Sequence, residues 1–194
     1  MNTPRVPSEP FFFWMPMPPT TRTSTRRSFT AINDLDDLAN LLGVTVGLLR
    51  WHAYLADPSK KYRAFTIPKK NGTAREIQSP NPGLKKLQRR IATLLSQVFT
   101  PRRCVTGFVN GRTIKDNAIF HVGQRWVFNI DLEDFFPTIH FGRVRGLFMN
   151  KPYDLPPKVA TYLAQLCCYR GSLPQGAPTS PIISNMICAK MDSE

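Results

Sequence analysis

"RWVFNIDLEDFFPTIH", residues 125–140, is the stretch on which the reading of the whole chain turns. Three of the 13 acidic residues, Asp131, Glu133 and Asp134, fall within four positions here, between runs of aromatic and aliphatic residues. Burying a charge among apolar side chains is costly unless something compensates it. As a strand over 126–132, the segment turns Phe128, Ile130 and Leu132 to one side and Asn129, Asp131 and Glu133 to the other. A packed strand that ends in an acid presents that acid at the sheet edge, beside a cleft. One reading is an exposed acidic turn that closes the strand. The other is a ligand for Mg²⁺, which takes one or two carboxylates and leaves its remaining positions to substrate phosphates. These residues alone support the two equally.

The surroundings are cationic. Across 194 residues, 26 Lys and Arg stand against 13 acids, for a net charge of +13. From Lys60 to Arg125 there are 15 basic residues and only two acids, Glu76 and Asp116. A solvated surface mixes signs, so this half is expected to face phosphates, with nucleic acid favoured over a membrane as partner. Hydrophobic residues make up 42%, enough for a packed core in one domain or two small ones. The four cysteines form no C-x-x-C pair and His is scarce, which argues against a zinc site and for reduced thiols in the cytoplasm. "FFFWM" at 11–15 is too short to span a bilayer and makes a poor signal peptide.

Residues 1–30, rich in Pro, Thr, Ser and Arg, are expected to be a flexible arm. Residues 33–55 carry leucines at helical spacing, interrupted by Gly43. "LANLLGVTVGLLRW" is compatible with a helix-turn-helix, but Arg50 and His52 are the only contacts its second helix offers, so a packed helical pair is preferred. "YRAFTIPKKNGTAREIQSP" gives two strands, 62–67 and 74–78, around an Asn-Gly turn. Residues 83–99 form an amphipathic helix with Lys85, Lys86, Arg89 and Arg90 outside its apolar face. A glycine-punctuated loop and short helix fill 105–123, and helices are expected over 158–169 and 179–191, separated by a loop at 173–178.

"FNIDLEDFFPTI" resembles the first catalytic motif of reverse transcriptases. The resemblance implies that Asp131 ligates both catalytic metal ions, that the Leu132 carbonyl adds a further ligand, and that Phe136 is the steric gate against a ribose 2′-hydroxyl. "GSLPQGAPTSPIISNMI", 171–187, is similar to the family's Leu-Pro-Gln-Gly loop and helix. It implies Gln175 against the incoming nucleotide and Gly176 where the backbone approaches closely. "IPKKNGTAREI" resembles the fingers hairpin, with Lys69 and Arg75 at the positions that grip a triphosphate. Taken alone, a basic hairpin is more often a solvated edge. "DNAIFHVG" holds Asn117, Ala118 and His121 in the pattern associated with bacterial retron reverse transcriptases, although His121 alone could be a satisfied core histidine.

The resemblance therefore implies an α+β, right-hand polymerase fold: N-terminal helices and fingers over 31–125, and part of the palm over 126–194. It implies RNA-directed DNA polymerisation with Mg²⁺ (two ions), dNTPs as substrates, and a structured noncoding RNA as template and primer. Lys85, Lys86, Arg89, Arg90, Arg112, Asn117 and His121 are the expected RNA contacts. It further implies a branched RNA–DNA product and a role in antiphage defence with an effector protein, and no membrane. A Tyr-x-Asp-Asp motif and a thumb are missing from the 194 residues, so the isolated chain is expected to be inactive and marginally folded, an amino-terminal piece of the enzyme. The alternatives are a group II intron maturase fragment and a non-catalytic nucleic-acid-binding protein derived from a polymerase.

Overall fold

The structure, a computed structural model, describes residues 15–17, 21–68 and 72–191. Helices dominate, with one two-stranded sheet among the described residues. The first is α1, Arg22–Thr30. This corrects the expectation of a flexible arm through residue 30. Thr21 caps the helix, and Thr25 and Phe29, four residues apart, form a buried face. The Arg22 guanidinium donates to the Ser96 and Phe99 carbonyls, which leaves α1 bound to the end of another helix. Polar composition concealed a short amphipathic segment. Of the "FFFWM" patch, Phe11–Trp14 lie outside the described residues, while the Met15 amide donates to the Gly43 carbonyl.

Helices α2 (Leu35–Leu42) and α3 (Val46–Arg50) are the expected pair. Asp34 accepts from the amides of Asp36 and Asp37, and Thr45 from that of Leu48. Between them Gly43 takes the left-handed conformation, φ +62, that ends a helix without steric cost. A side chain there would also meet Arg90 Nη1 at 2.7 Å. A π-helical turn, Trp51–Leu55, follows α3 and buries His52 to 2% exposure. A histidine so placed cannot read a base edge, which leaves Arg50 as the only one of the two expected helix-turn-helix contacts that is exposed.

After the short α4 (Pro58–Lys61), strands β1 (Tyr62–Pro68) and β2 (Ala74–Pro80) pair antiparallel, from Tyr62 opposite Pro80 to Pro68 opposite Ala74. The expected hairpin is present. Helix α5 (Pro82–Val98) opens with Asn81 as cap and Pro82 in its first turn, and buries Leu84, Leu87, Ile91, Leu94, Leu95 and Val98. Next come α6 (Ile114–Ala118), α7 (Phe135–Thr138), α8 (Phe141–Met149), α9 (Pro157–Cys167) and α10 (Ser180–Cys188).

One buried cluster runs from Phe29 to Met186 and takes in residues on either side of position 126. Each fully buried Leu, Ile or Phe in it contributes about 1.5–3 kcal/mol. At its centre Gln88 donates to the Tyr62 hydroxyl at 2.7 Å and to the Leu166 carbonyl at 2.8 Å. The Tyr62 ring stacks on Tyr169, with centroids 4.3 Å apart. These contacts fix the hairpin base to α5 and α9.

Residues 126–132 depart from expectation. They form no strand, and Trp126, Phe128 and Ile130 are 82%, 85% and 74% exposed. Alternation of apolar and polar residues encodes a strand only when a neighbouring strand supplies the ladder. Among the described residues no strand pairs with this segment.

Candidate active site

The Leu-Pro-Gln-Gly loop lies at the junction of the elements that carry the candidate residues. On one side it meets the hairpin: the Gln78 amide donates to the Gln175 carbonyl at 2.8 Å. Gly176 makes this approach possible. Its φ is +124, and a Cβ would sit 2.8 Å from Ile77 Cγ2 and 3.2 Å from the Gln78 carbonyl oxygen. The contact observed at Gly176 is with strand β2, whereas the resemblance expects the approach to be that of a nucleotide. On the other side the loop meets the segment after the carboxylates. The Phe141 amide donates to the Gly171 carbonyl at 2.8 Å, and the Leu173 amide to the Ile139 carbonyl at 3.0 Å. The Ser180 hydroxyl donates to the Pro174 carbonyl, which fixes the loop to the start of α10.

Phe136 lies on α7, half-buried, with its ring 5.4 Å from that of Phe135 and both packed on the core. Asp134 precedes α7 in the left-handed conformation, φ 46, without capping it. The α7–α8 junction holds because the His140 ring accepts from the Arg143 amide. Asp131 and Glu133 are exposed, as is Leu132 at 52%. No group of three His, Cys, Asp or Glu side chains assembles among the described residues. Arg75 is exposed on β2 opposite Ile67, and Lys69 lies outside the described residues.

The basic residues separate into two kinds. Lys86 and Arg89 are exposed on α5 and Lys85 is half-buried. Arg90 is different. Its Nη1 reaches the carbonyls of Met15, Leu42 and Gly43 at 2.7, 2.8 and 2.8 Å, closing the C-terminus of α2. This corrects Arg90 as an expected RNA contact: a guanidinium holding main-chain carbonyls is not offered to phosphate. Arg112, Asn117 and His121 are exposed, so His121 is not a core histidine. Thr113 and Asp116 form a capping box at α6, and hydrogen bonds from Thr113 hold the Asp116 carboxyl below the usual range. Asn185, passed over in the sequence, donates to the Gly107 carbonyl at 2.9 Å and ties this loop to α10. Its signal was an amide inside an apolar helix. Burial pushes the Cys167 thiol up, and Cys168 to about 12.

Comparison with known proteins decides the family. The chain is 37% identical over 183 residues to the retron Mx162 reverse transcriptase of Myxococcus xanthus, covering 84% of this chain and 37% of that protein. It is 36% identical over 163 residues to the retron Ec86 reverse transcriptase of Escherichia coli, covering 83% of this chain and 50% of that one. The chain belongs to the retron reverse transcriptases. The retron Mx65 reverse transcriptase of Myxococcus xanthus agrees, at 38% over 178 residues, with 81% and 41% covered. The chain thus spans half or less of the length of these three relatives. No family model matches it. Among the described residues, no helix is long and apolar enough to cross a membrane.

Proposed function

We propose that this chain is the nucleotide- and template-engaging part of a retron-type, RNA-directed DNA polymerase of the right-hand fold. Residues 31–125 supply the fingers and 126–194 part of the palm. The contact that carries the reading joins the basic hairpin to the Leu-Pro-Gln-Gly loop through Gln78, Gln175 and Gly176. It holds the arginine-bearing ribbon beside the loop expected to receive a nucleotide. Family membership supports the same assignment.

In this reading Lys69 and Arg75 grip the triphosphate, Lys as a point charge and Arg as a planar fork. Gln175 and Gly176 border the nucleotide, and Phe136, anchored against Phe135, excludes a ribose 2′-hydroxyl. Asp131 and Leu132 are exposed, and a carboxylate and a main-chain carbonyl suit Mg²⁺, whose remaining positions go to substrate phosphates. Bound Mg²⁺ (two ions) would neutralise phosphate charge and acidify the attacking hydroxyl. Lys85, Lys86, Arg89, Arg112, Asn117 and His121 contact a structured noncoding RNA that serves as template and primer. The product is a branched RNA–DNA, made in the cytoplasm, and its biological role is antiphage defence with an effector protein.

The chain alone is proposed to bind RNA in a salt-sensitive way without extending a primer. Robust template-dependent dNTP incorporation by the purified chain would overturn that. In a polymerase-competent protein carrying these residues, Asp131→Asn abolishes incorporation and leaves RNA binding intact. Retained incorporation removes Asp131 from the metal site.

A further inference from the structure

We infer that a groove between the ends of α5, α8 and α10 is a docking site for an acidic, amphipathic helix of a second protein. The inference goes beyond the polymerase reading and does not depend on it. The groove encloses about 670 Å³, and no residue of the hairpin lines it. Five cations stand on its rim: Arg26 on α1, Arg102 after α5, Arg143 on α8, Lys151 after α8 and Lys190 after α10. All are exposed. Among the described residues none of them pairs with a carboxylate, and no acidic side chain lines the groove. None belongs to the residues assigned above to RNA or to the triphosphate.

Part of that charge has a local use. The residues that close α5, α8 and α10, namely Phe99, Asn150 and Ala189, all border the groove, so three helix C-termini converge on it. Together they bring a partial charge of roughly −1.5, which the cations exceed. A positive rim remains. Arg26, Val98 and Thr100 also line a second hollow of about 420 Å³ along α1, where Arg27 adds a further cation. The depression is therefore longer than either hollow alone.

The floor selects the partner. Leu147 and Ile187, half-buried, and Val98 and Met186, buried, make it aliphatic. Its two rings are engaged elsewhere. Tyr153 is 5% exposed and meets Phe29 edge-on at 5.9 Å, and Phe99 packs on the core. A single strand stacks its bases on open rings, which this floor does not offer. A duplex would present only phosphates to it. A second copy would bring a net charge of +13 to a positive rim. An acidic amphipathic helix matches both parts, with aliphatic residues at i, i+3, i+4 and i+7 for the floor and carboxylates beside them for the rim.

The test measures binding of the chain, by fluorescence anisotropy, to a labelled peptide of about 16 residues with Leu at helical spacing and Glu on its flanks. The controls are the same residues scrambled and a polyglutamate of equal charge. The amphipathic peptide binds at least about tenfold more tightly than either. Arg102→Gln, Arg143→Gln and Lys190→Gln together weaken it about tenfold and flatten its salt dependence. A matched set, Arg50→Gln, Lys115→Gln and Lys158→Gln, removes the same charge from exposed sites outside the groove and has a far smaller effect. Ile187→Ala weakens binding about tenfold with the salt dependence unchanged. Leu147→Ala gives the same reading if Ile187→Ala loses its circular dichroism. Equal binding of the peptide and its controls, equal effects of the two charge sets, or full affinity in a folded alanine variant overturns the proposal. It is overturned in favour of nucleic acid if the groove set weakens binding of an RNA of about 20 nucleotides more than the matched set does. It is overturned in favour of self-association if sedimentation shows a dimer that Ile187→Ala dissociates. None of these outcomes involves the hairpin or the Leu-Pro-Gln-Gly loop, so the polymerase reading stands or falls on its own tests.

Discussion

The helical cluster and the segment from 105 to 134 divide the molecule by how each treats its apolar residues. In the cluster, Leu38, Leu87, Ile91, Leu94 and Leu163 are fully buried, with facing helices on every side. In the segment, Phe108, Ile114, Trp126, Phe128 and Ile130 are each at least 66% exposed. Amphipathic helices satisfy their own backbone and need only a neighbour for one face. A strand needs a second strand before its pattern yields any ladder bonds. Asp131 thus sits in the part whose order depends on contacts, while Gln175, Gly176 and Phe136 are carried by the part that packs on its own.

Several substitutions break or sharpen that division. Gly176→Ala should have the largest effect, a loss on the order of 3 kcal/mol, because it combines a strained φ with a clash against β2. Chemical denaturation measures it. Adding Ile77→Ala should relieve the clash but not the backbone strain, and full recovery would mean the φ is not strained.

Arg90→Ala follows, at about 2–3 kcal/mol, since it strips a partly buried donor from three carbonyls. RNA affinity should keep its salt slope. A lower slope with unchanged stability would return Arg90 to the phosphate-facing set.

His52 gives a smaller, pH-dependent effect. Burial and the neighbouring Lys61 lower it to about 4, from 6.5 in the unfolded chain. Between these values the unfolded state holds the extra proton, so stability is full above about 6.5 and falls as pH drops toward about 4. The loss should reach up to about 2 kcal/mol after allowing for solvent screening. Melting temperatures across that range check it, and His52→Gln should flatten the curve.

Trp126→Ala should cost under about 0.5 kcal/mol, since the ring is 82% exposed. A loss of core size would show that the segment is packed after all.

Legibility in the sequence followed the range of the interactions. The hairpin was readable from "KKNG" and α5 from its leucine spacing, because both are local signals. Helix α1 was missed because only Thr25 and Phe29 mark its buried face. Helix α8 was missed because two glycines and two arginines obscure Val144 and Phe148, and His140 is an uncommon cap. The strand at 126–132 was read from alternation, which does not report whether a partner is present. Among the candidate residues, Gly176 was read as lying beside a nucleotide, and its packing against β2 is a tertiary contact that no local signal reports. Arg90 looked like its neighbours on α5, and only the fold revealed the carbonyls it holds.

The most direct test of this division is amide hydrogen exchange, followed by mass spectrometry on the chain alone. Peptides from α5 and α9 should remain protected to the level of global unfolding, while those covering 126–134 exchange within seconds. Protection of 126–134 equal to that of α9 would mean that the carboxylate segment is a paired strand, contradicting the account.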